Sequence, residues 1–135
     1  MTAVDLALPR LKTEEGFRAT KYTDTEGYES IGYGLNVSAG VTEFEAAGFL
    51  AVQLQQRHRT LSAYPWYNTL DPVRQSVCLD IAFNDGLTGL LHFPHMIAAL
   101  AKGDWATAAA ECKVTNPELA GRYSALAQLL LTGTT

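Results

Sequence analysis

Apolar residues recur at helical spacing along most of this chain, and this pattern predicts a mostly helical protein. Two helix starts carry specific signals. Thr42 followed by Glu45 has the sequence of a capping box. Asp71-Pro72 combines an N-cap residue with proline at the first helical position. The predicted helices cover about 4–15, 42–63, 71–82, 96–102, from about 104 onward, and 117–131.

The first of these helices contains one conflict. Leu6, Leu8 and Leu11 supply its apolar residues, but Pro9 stands among them. Proline has no backbone N–H and clashes with the preceding turn, so it suits a helix only in the first turn. The expectation is a short helix near residues 4–15, in which Pro9 is an internal conflict unless it lies in the first turn.

One segment departs from the helical pattern. Between residues 18 and 34, Tyr22, Tyr28, Ile31 and Tyr33 have high β propensity and flank a polar turn sequence. This predicts a β-hairpin. The expected fold class is α+β and mostly helical, with a small hairpin-bearing lobe, a larger helical lobe and a cleft between them. A chain of 135 residues that is 47% hydrophobic can bury one core, so a single domain over 1–135 is predicted.

Composition removes several classes of function. The net charge of −4 and pI of about 5.2 leave no basic stripe for nucleic acid. No apolar segment reaches the roughly 20 residues of a membrane-spanning helix, so no membrane span is expected. The first ten residues lack a basic region followed by an apolar run, and no signal peptide is predicted.

Cysteine and histidine usage predicts neither a metal nor a cofactor. Cys78 and Cys112 are far apart in apolar helical context, which favours buried free thiols over a disulfide. His58, His92 and His95 have no metal-ligand spacing. A catalytic site here would have to rely on side chains alone.

Two acidic residues are the candidates for chemistry. Glu15 is followed by Gly16, the residue type that ends helices, and Asp24 lies in the turn cluster of the hairpin. Two carboxyls in unlike environments are what glycoside hydrolysis uses, one protonated and one ionised. A helix end favours the protonated form of Glu15, because it lies at the negative end of the helix dipole. The alternative is that both residues are ordinary solvated surface groups.

The ordered set Glu15, Asp24, Ser30 and Gly32-Tyr33-Gly34 resembles the active-site segment of the phage-type lysozymes, the endolysin muramidases typified by the lysozyme of the T-even bacteriophages. The spacing fits without a gap, and weaker similarity extends over nearly the whole chain. The resemblance implies a lysozyme-like fold. It also implies an inverting glycoside hydrolase in which Glu15 is the acid and Asp24 and Ser30 orient the attacking water. Ser30 replaces the Thr that is usual there and keeps its hydroxyl.

The resemblance also implies roles outside the catalytic set. Asn36, Phe83 and Asn84 would contact the sugar, although plain core packing is an equal alternative for Phe83. Gly32 and Gly34 would allow close backbone approach, and Arg122 would lie near the catalytic Glu unless it is only a solvated surface residue. Leu35 stands where the family commonly has His, which removes an ion pair. The segment between Gly34 and Thr42 is short, so a small helix is expected to be absent.

The function implied is hydrolysis of the peptidoglycan β-1,4 bond between N-acetylmuramic acid and N-acetylglucosamine by a monomer, leading to bacterial lysis. Without an export signal, such a protein would stay in the host bacterial cytoplasm until a holin-type pore releases it, or would be carried on a virion. Two alternatives stay open. One is a lytic transglycosylase, which needs an acid but no water. The other is a non-catalytic wall-binding or virion component.

Overall fold

A computed structural model describes all 135 residues, which form two compact units, Met1–Gly48 and Phe49–Thr135. The predicted α+β class is confirmed, because the chain is 65% helical and has one small antiparallel sheet of three strands. No helix has the combination of length and apolar character needed to cross a membrane. The seven α-helices are α1 Ala3–Glu15, α2 Glu43–Leu61, α3 Pro65–Asn68, α4 Pro72–Leu91, α5 Pro94–Lys102, α6 Trp105–Glu111 and α7 Ala120–Thr132.

Helix α1 begins with a capping box between Thr2 and Asp5 and ends at Gly16, whose N–H donates to the Lys12 carbonyl at 3.1 Å. Pro9 lies in the helix interior, so the conflict that the sequence indicated is present in the structure. The capping box adds about 1 kcal/mol to the helix, which offsets only part of the roughly 3 kcal/mol that an interior proline costs. Thr13 adds a hydrogen bond from its hydroxyl to the Pro9 carbonyl at 3.1 Å.

The sheet consists of β1 Arg18–Thr23, β2 Glu29–Gly32 and β3 Leu35–Asn36, in the order β1-β2-β3. The predicted hairpin is β1–β2, and β3 is an addition that the sequence pattern did not indicate. Ser30 is in the middle of the sheet, since it pairs with Tyr22 on β1 and with Asn36 on β3. A three-residue 3-10 helix, Val37–Ala39, follows β3 in place of a longer helix.

The two capped helix starts predicted in the rest of the chain are confirmed, whereas α5 and α7 begin at Pro94 and Ala120 against predicted starts near 96 and 117, and α3 was not predicted. The Thr42–Glu45 capping box is present, with hydrogen bonds of 2.9 and 3.1 Å, and the Asp71 carboxylate accepts the N–H of Arg74 at 3.0 Å. Helix α4 extends beyond its predicted end to Leu91, with a break in its dihedral angles at Gly86 (φ 76°, ψ 171°). Gly86 therefore redirects the helix instead of ending it.

The hydrophobic core belongs to the C-terminal unit, and its fully buried side chains include Tyr67, Ile81, Met96, Tyr123 and Leu130. Cys78 and Cys112 are both buried and free, as predicted.

One charged side chain, Arg74, is buried beside this core. Its Nε donates to the Leu130 carbonyl at 2.8 Å, and its guanidinium carbon lies 3.8 Å from the centre of the Trp105 ring. These contacts hold the C-terminal end of α7 against α4, because they satisfy carbonyl groups that the helix itself leaves unpaired.

Candidate active site

Glu15 is the last residue of α1, and its carboxyl group lies against the turn between β2 and β3. A β-carbon built on Gly34 would be 2.8 Å from Glu15 Oε2 and 3.3 Å from Glu15 Cδ. A β-carbon at residue 34 would shift the exposed, flexible end of the Glu15 side chain from this position, and Gly34 also has a positive φ of 78°. The same residue type therefore serves both the turn and the placement of Glu15. The Glu15 side chain is exposed in this structure.

Asp24 begins the β1–β2 turn and organises its backbone. Its Oδ1 accepts the N–H groups of Glu26 and Tyr28, each at 2.9 Å, and its own N–H donates to the Tyr28 carbonyl at 2.8 Å. The Asp24 carboxylate is thus fixed by the turn through one oxygen. The second oxygen, Oδ2, takes no part in these bonds and is available for other chemistry.

Ser30 is the buried polar residue of the small sheet, with 4% of its surface exposed. Its cross-strand partner Tyr22 lies two residues before Asp24. Asp24 directly follows the end of β1 at Thr23, so Ser30 and Asp24 belong to the same hairpin. The three catalytic candidates, Glu15, Asp24 and Ser30, therefore all belong to the N-terminal unit.

Among the other predicted residues of this unit, Asn36 has a clear local role. Its Oδ1 accepts the N–H groups of Ser38 and Ala39 at 3.0 and 3.3 Å, which caps the 3-10 helix. The Asn36 NH₂ group takes no part in this cap, so sugar binding through that group stays a prediction. Gly32 has a positive φ of 68° and open space where a β-carbon would be.

Phe83 and Asn84 lie on α4 in the C-terminal unit. Phe83 is 39% exposed, so it is not a core residue, and the guanidinium carbon of Arg57 lies 5.2 Å from its ring centre. Phe83 lines an open groove of about 350 Å³ together with residues of α2, α4 and α7, namely Leu50, Leu54, Ser76, Leu79, Asp80 and Arg122. The groove is lined by both apolar and polar side chains, and the contact of Phe83 with a sugar stays a prediction.

Arg122 forms an ion pair with Asp80 across α7 and α4. Its Nε donates to Asp80 Oδ1 at 3.1 Å, and its Nη2 donates to the same oxygen. This hydrogen-bonded pair raises the pKa of Arg122, mainly through the bond to Asp80. Asp80 thus offsets the positive charge of Arg122 within the C-terminal unit, and the expected position of Arg122 near the catalytic Glu stays a prediction.

Two residues of this region were missed by the sequence analysis, Asp85 and Tyr123. The Tyr123 hydroxyl donates to Asp85 Oδ2 at 2.6 Å. Asp85 directly precedes the break at Gly86, and an acidic residue beside a glycine inside an apolar helix is a signal that sequence inspection offers. The pairing of Asp85 with Tyr123, 38 residues later in the chain, gives no such signal in the sequence.

Comparison with known proteins fits this geometry. A family model described as phage lysozyme matches residues 12–128, a range that includes every candidate site residue. The chain belongs to the phage lysozyme family, and the predicted resemblance is confirmed. Membership of this family supports a muramidase-type hydrolase of the cell wall, with glycoside hydrolase activity as its general chemistry.

Two relatives illustrate the breadth of the similarity. The chain is 26% identical to the pre-baseplate central spike protein Gp5 of Enterobacteria phage T4, over 91% of this chain and 27% of that protein. It thus spans about a quarter of the spike protein. It is 24% identical to the probable T4-type lysozyme 1 of Dictyostelium discoideum, over 92% of each chain.

Proposed function

We propose that this protein is a peptidoglycan muramidase that hydrolyses the β-1,4 bond between N-acetylmuramic acid and N-acetylglucosamine. The observation that carries the proposal is the position of Glu15, at a helix end with its carboxyl against Gly34. Asp24 and Ser30 are on the adjoining β1–β2 hairpin. One carboxyl on a helix end and one on a hairpin turn meet the need of glycoside hydrolysis for two carboxyls in different surroundings.

In this mechanism Glu15 carries the proton. It transfers this proton to the glycosidic oxygen while the bond from that oxygen to the anomeric carbon breaks. Water attacks the anomeric carbon from the opposite face and loses a proton to Asp24, with Ser30 orienting the water. The fixed Oδ1 of Asp24 supports this role, because a carboxylate held by two N–H groups has little freedom to leave its position.

We propose that the reaction inverts the anomeric configuration. An inverting enzyme must fit water between the sugar and its base, so its carboxyls are about 6.5–9.5 Å apart, against about 5–5.5 Å in a retaining enzyme. Glu15 and Asp24 belong to different elements, α1 and the β1–β2 turn, which favours the wider gap. Proton NMR of a fresh digest tests this point, with the α-anomer expected first. A β-anomer appearing first would contradict inversion.

The products of digested peptidoglycan test the reaction class. A hydrolase releases muropeptides that have gained one water, whereas a lytic transglycosylase releases 1,6-anhydro products that are lighter by that water. Mass spectrometry of the soluble products therefore separates the two reactions. We expect hydrated products, because Asp24 has the spacing from Glu15 that is typical of the phage-type lysozymes. A transglycosylase needs no residue that activates water.

The second candidate is a component of a phage particle. It is favoured by the similarity to a protein named as a central spike protein. A zymogram decides whether the chain is catalytic, since a purely structural component clears no peptidoglycan.

For a free lytic enzyme we propose residence in the host cytoplasm until a holin-type pore opens. Co-expression with and without such a pore tests this, and lysis only with the pore is expected.

A further inference from the structure

Ser30 lies in a row of three residues that crosses the small sheet. In the register of the strands, Tyr22 on β1 is opposite Ser30 on β2, and Asn36 on β3 is opposite Ser30 on its other side. Residues directly opposite each other in antiparallel strands project their side chains to the same face, with β-carbons about 4.5–5.5 Å apart. The side chains of Ser30 and Asn36 are therefore direct neighbours on one face of the sheet.

The Ser30 hydroxyl is enclosed but has no partner within the protein. Ser30 is 4% exposed, and its hydroxyl takes no part in the side-chain hydrogen bonds of the hairpin and of the 3-10 helix. Every fully buried polar side-chain atom of the protein does have a partner, so the Ser30 oxygen must keep contact with solvent through its small exposed surface. A hydroxyl with so small an opening suits the binding of a single water molecule.

Asn36 provides a second polar group without a partner beside this hydroxyl. Its Oδ1 accepts the N–H groups of Ser38 and Ala39, so the carboxamide cannot rotate without breaking the cap of the 3-10 helix. The cap also identifies the two ends of the carboxamide, because the two N–H groups require its oxygen. The Asn36 NH₂ group is thus held in place before any substrate binds, and it donates to no protein group.

We infer that Asn36 is a third residue that holds the attacking water, together with Asp24 and Ser30. The Asn36 NH₂ group donates to the water oxygen, while the water donates one hydrogen to Asp24 Oδ2 and the other to Ser30 Oγ. Three of the four hydrogen-bonding directions of the water are then occupied, and the remaining lone pair is directed at the anomeric carbon. The inference rests on the proposed muramidase function and deepens it.

Asn36 contributes orientation and no proton to the reaction step. The water oxygen forms a bond to the anomeric carbon while the bond from that carbon to the glycosidic oxygen breaks. The glycosidic oxygen takes the proton of Glu15, and the water gives one proton to Asp24 and keeps the other as part of the new hydroxyl group. Because Asn36 contacts the water and not the sugar, its loss should lower kcat and leave KM unchanged.

The test compares initial rates on soluble peptidoglycan glycan fragments over a range of concentrations, which separates kcat from KM. Asn36→Ser is the informative change, because serine is as good an N-cap as asparagine, adds no charge and has no NH₂ group. We expect kcat to fall roughly three- to tenfold, the effect of one hydrogen bond, with KM unchanged. Asn36→Asp, which keeps an oxygen for both cap bonds, should also lower kcat.

Asn116→Ser is the matched control. Asn116 Oδ1 accepts the N–H of Glu118, two residues later, at 3.0 Å, which is the same type of bond that Asn36 makes to Ser38. Asn116 belongs to the C-terminal unit. Its substitution removes an NH₂ group from the same kind of turn and should leave kcat unchanged. Urea unfolding of each variant shows whether the fold and its caps persist.

A double-mutant cycle shows whether Asn36 and Ser30 hold the same water. Once Ser30→Ala has removed the hydroxyl, Asn36→Ser should cause little further loss of kcat. Equal losses of kcat with and without the Ser30 hydroxyl would overturn the inference. A raised KM at normal kcat in Asn36→Ser would overturn it as well, since that result marks a contact with the sugar.

These outcomes are distinguishable from failure of the proposed function. If the unsubstituted protein releases no hydrated muropeptides, the proposed function fails and the inference fails with it. If the unsubstituted protein releases them and folded Asn36→Ser and Asn36→Asp both keep a normal kcat, only the role of Asn36 is overturned.

Discussion

The carboxyl group of Glu15 lies so close to Gly34 that a β-carbon at position 34 would be 2.8 Å from Glu15 Oε2. Real β-carbons do not approach an oxygen this closely, so any larger residue at 34 must displace the carboxyl. This relationship connects a backbone feature, the turn between β2 and β3, with the proposed acid.

Gly34→Ala should therefore lower wall-lytic activity by far more than its loss of stability explains. The positive φ costs about 1 kcal/mol for a residue with a β-carbon, and the displaced carboxyl adds a catalytic loss of 10-fold or more, on the order expected for a misplaced group. Gly40→Ala is the control, since Gly40 also has a positive φ, 74°, but open space beside it. Equal activity in the two variants at equal stability would contradict the role of Gly34.

Asp24 has two functions that a pair of substitutions should separate. Asp24→Asn keeps the oxygen that accepts from Glu26 and Tyr28 but removes the charge, so the fold should persist while activity falls by about 10²-fold or more. Asp24→Ala should lose activity and, through its two lost hydrogen bonds, about 1–3 kcal/mol of stability. Urea unfolding and lysis assays measure the two effects. Substantial activity in folded Asp24→Asn would exclude the charge from the mechanism.

Asp24 and Ser30 should act as one unit. If both hold the same water, loss of either displaces the nucleophile, and the two losses are strongly non-additive. Asp24→Ala should be the more severe single change, with Asp24→Ala/Ser30→Ala little worse. Initial rates of peptidoglycan digestion give the cycle. Fully additive losses would show that the residues act separately.

The elements predictable from sequence were those set by local chemistry. The Thr42–Glu45 box and the Asp71-Pro72 cap depend on residues within one turn, and both helix starts were predicted correctly. Strand β3 has only two residues, too few for a β pattern. The sequence left the place of Pro9 in the first helix open, and the structure puts it in the helix interior.

The contacts around the candidate site were not predictable for a different reason. The pairs Asp80–Arg122 and Asp85–Tyr123 join α4 to α7 over 42 and 38 residues, so they exist only once the helices pack. The approach of Glu15 to Gly34 likewise depends on how α1 lies against the sheet turn. Motif spacing indicated the residue types of the site, while their partners come from tertiary structure.

The buried thiols should make stability depend on alkaline pH. Burial raises the pKa of Cys78 to about 12 and that of Cys112 to about 11. Above about pH 8.5 the native state then keeps the two thiol protons that the unfolded state has lost. The contribution of the thiols to the free energy of unfolding should therefore be constant below about pH 8.5 and fall above it, by up to about 1.4 kcal/mol per pH unit for each thiol. Urea unfolding between pH 7 and 10 measures the slope.

In the double variant Cys78→Ala/Cys112→Ala, the free energy of unfolding should fall less steeply with pH between pH 7 and 10, whatever the absolute stability of the variant. The buried hydroxyl of Tyr67, whose pKa is raised to about 12, accounts for part of the slope that remains above pH 10. An identical slope with and without the two cysteines would contradict this account.

The most direct measurement of the central claim compares the unsubstituted protein with Glu15→Gln on purified peptidoglycan, with the folded state of both verified by circular dichroism. The unsubstituted protein should release hydrated muropeptides. Glu15→Gln keeps the shape of the side chain but has no proton to transfer, so its rate should be lower by at least about 10²-fold. A folded Glu15→Gln protein that releases the same products at a near-normal rate would contradict the role of Glu15 as the acid.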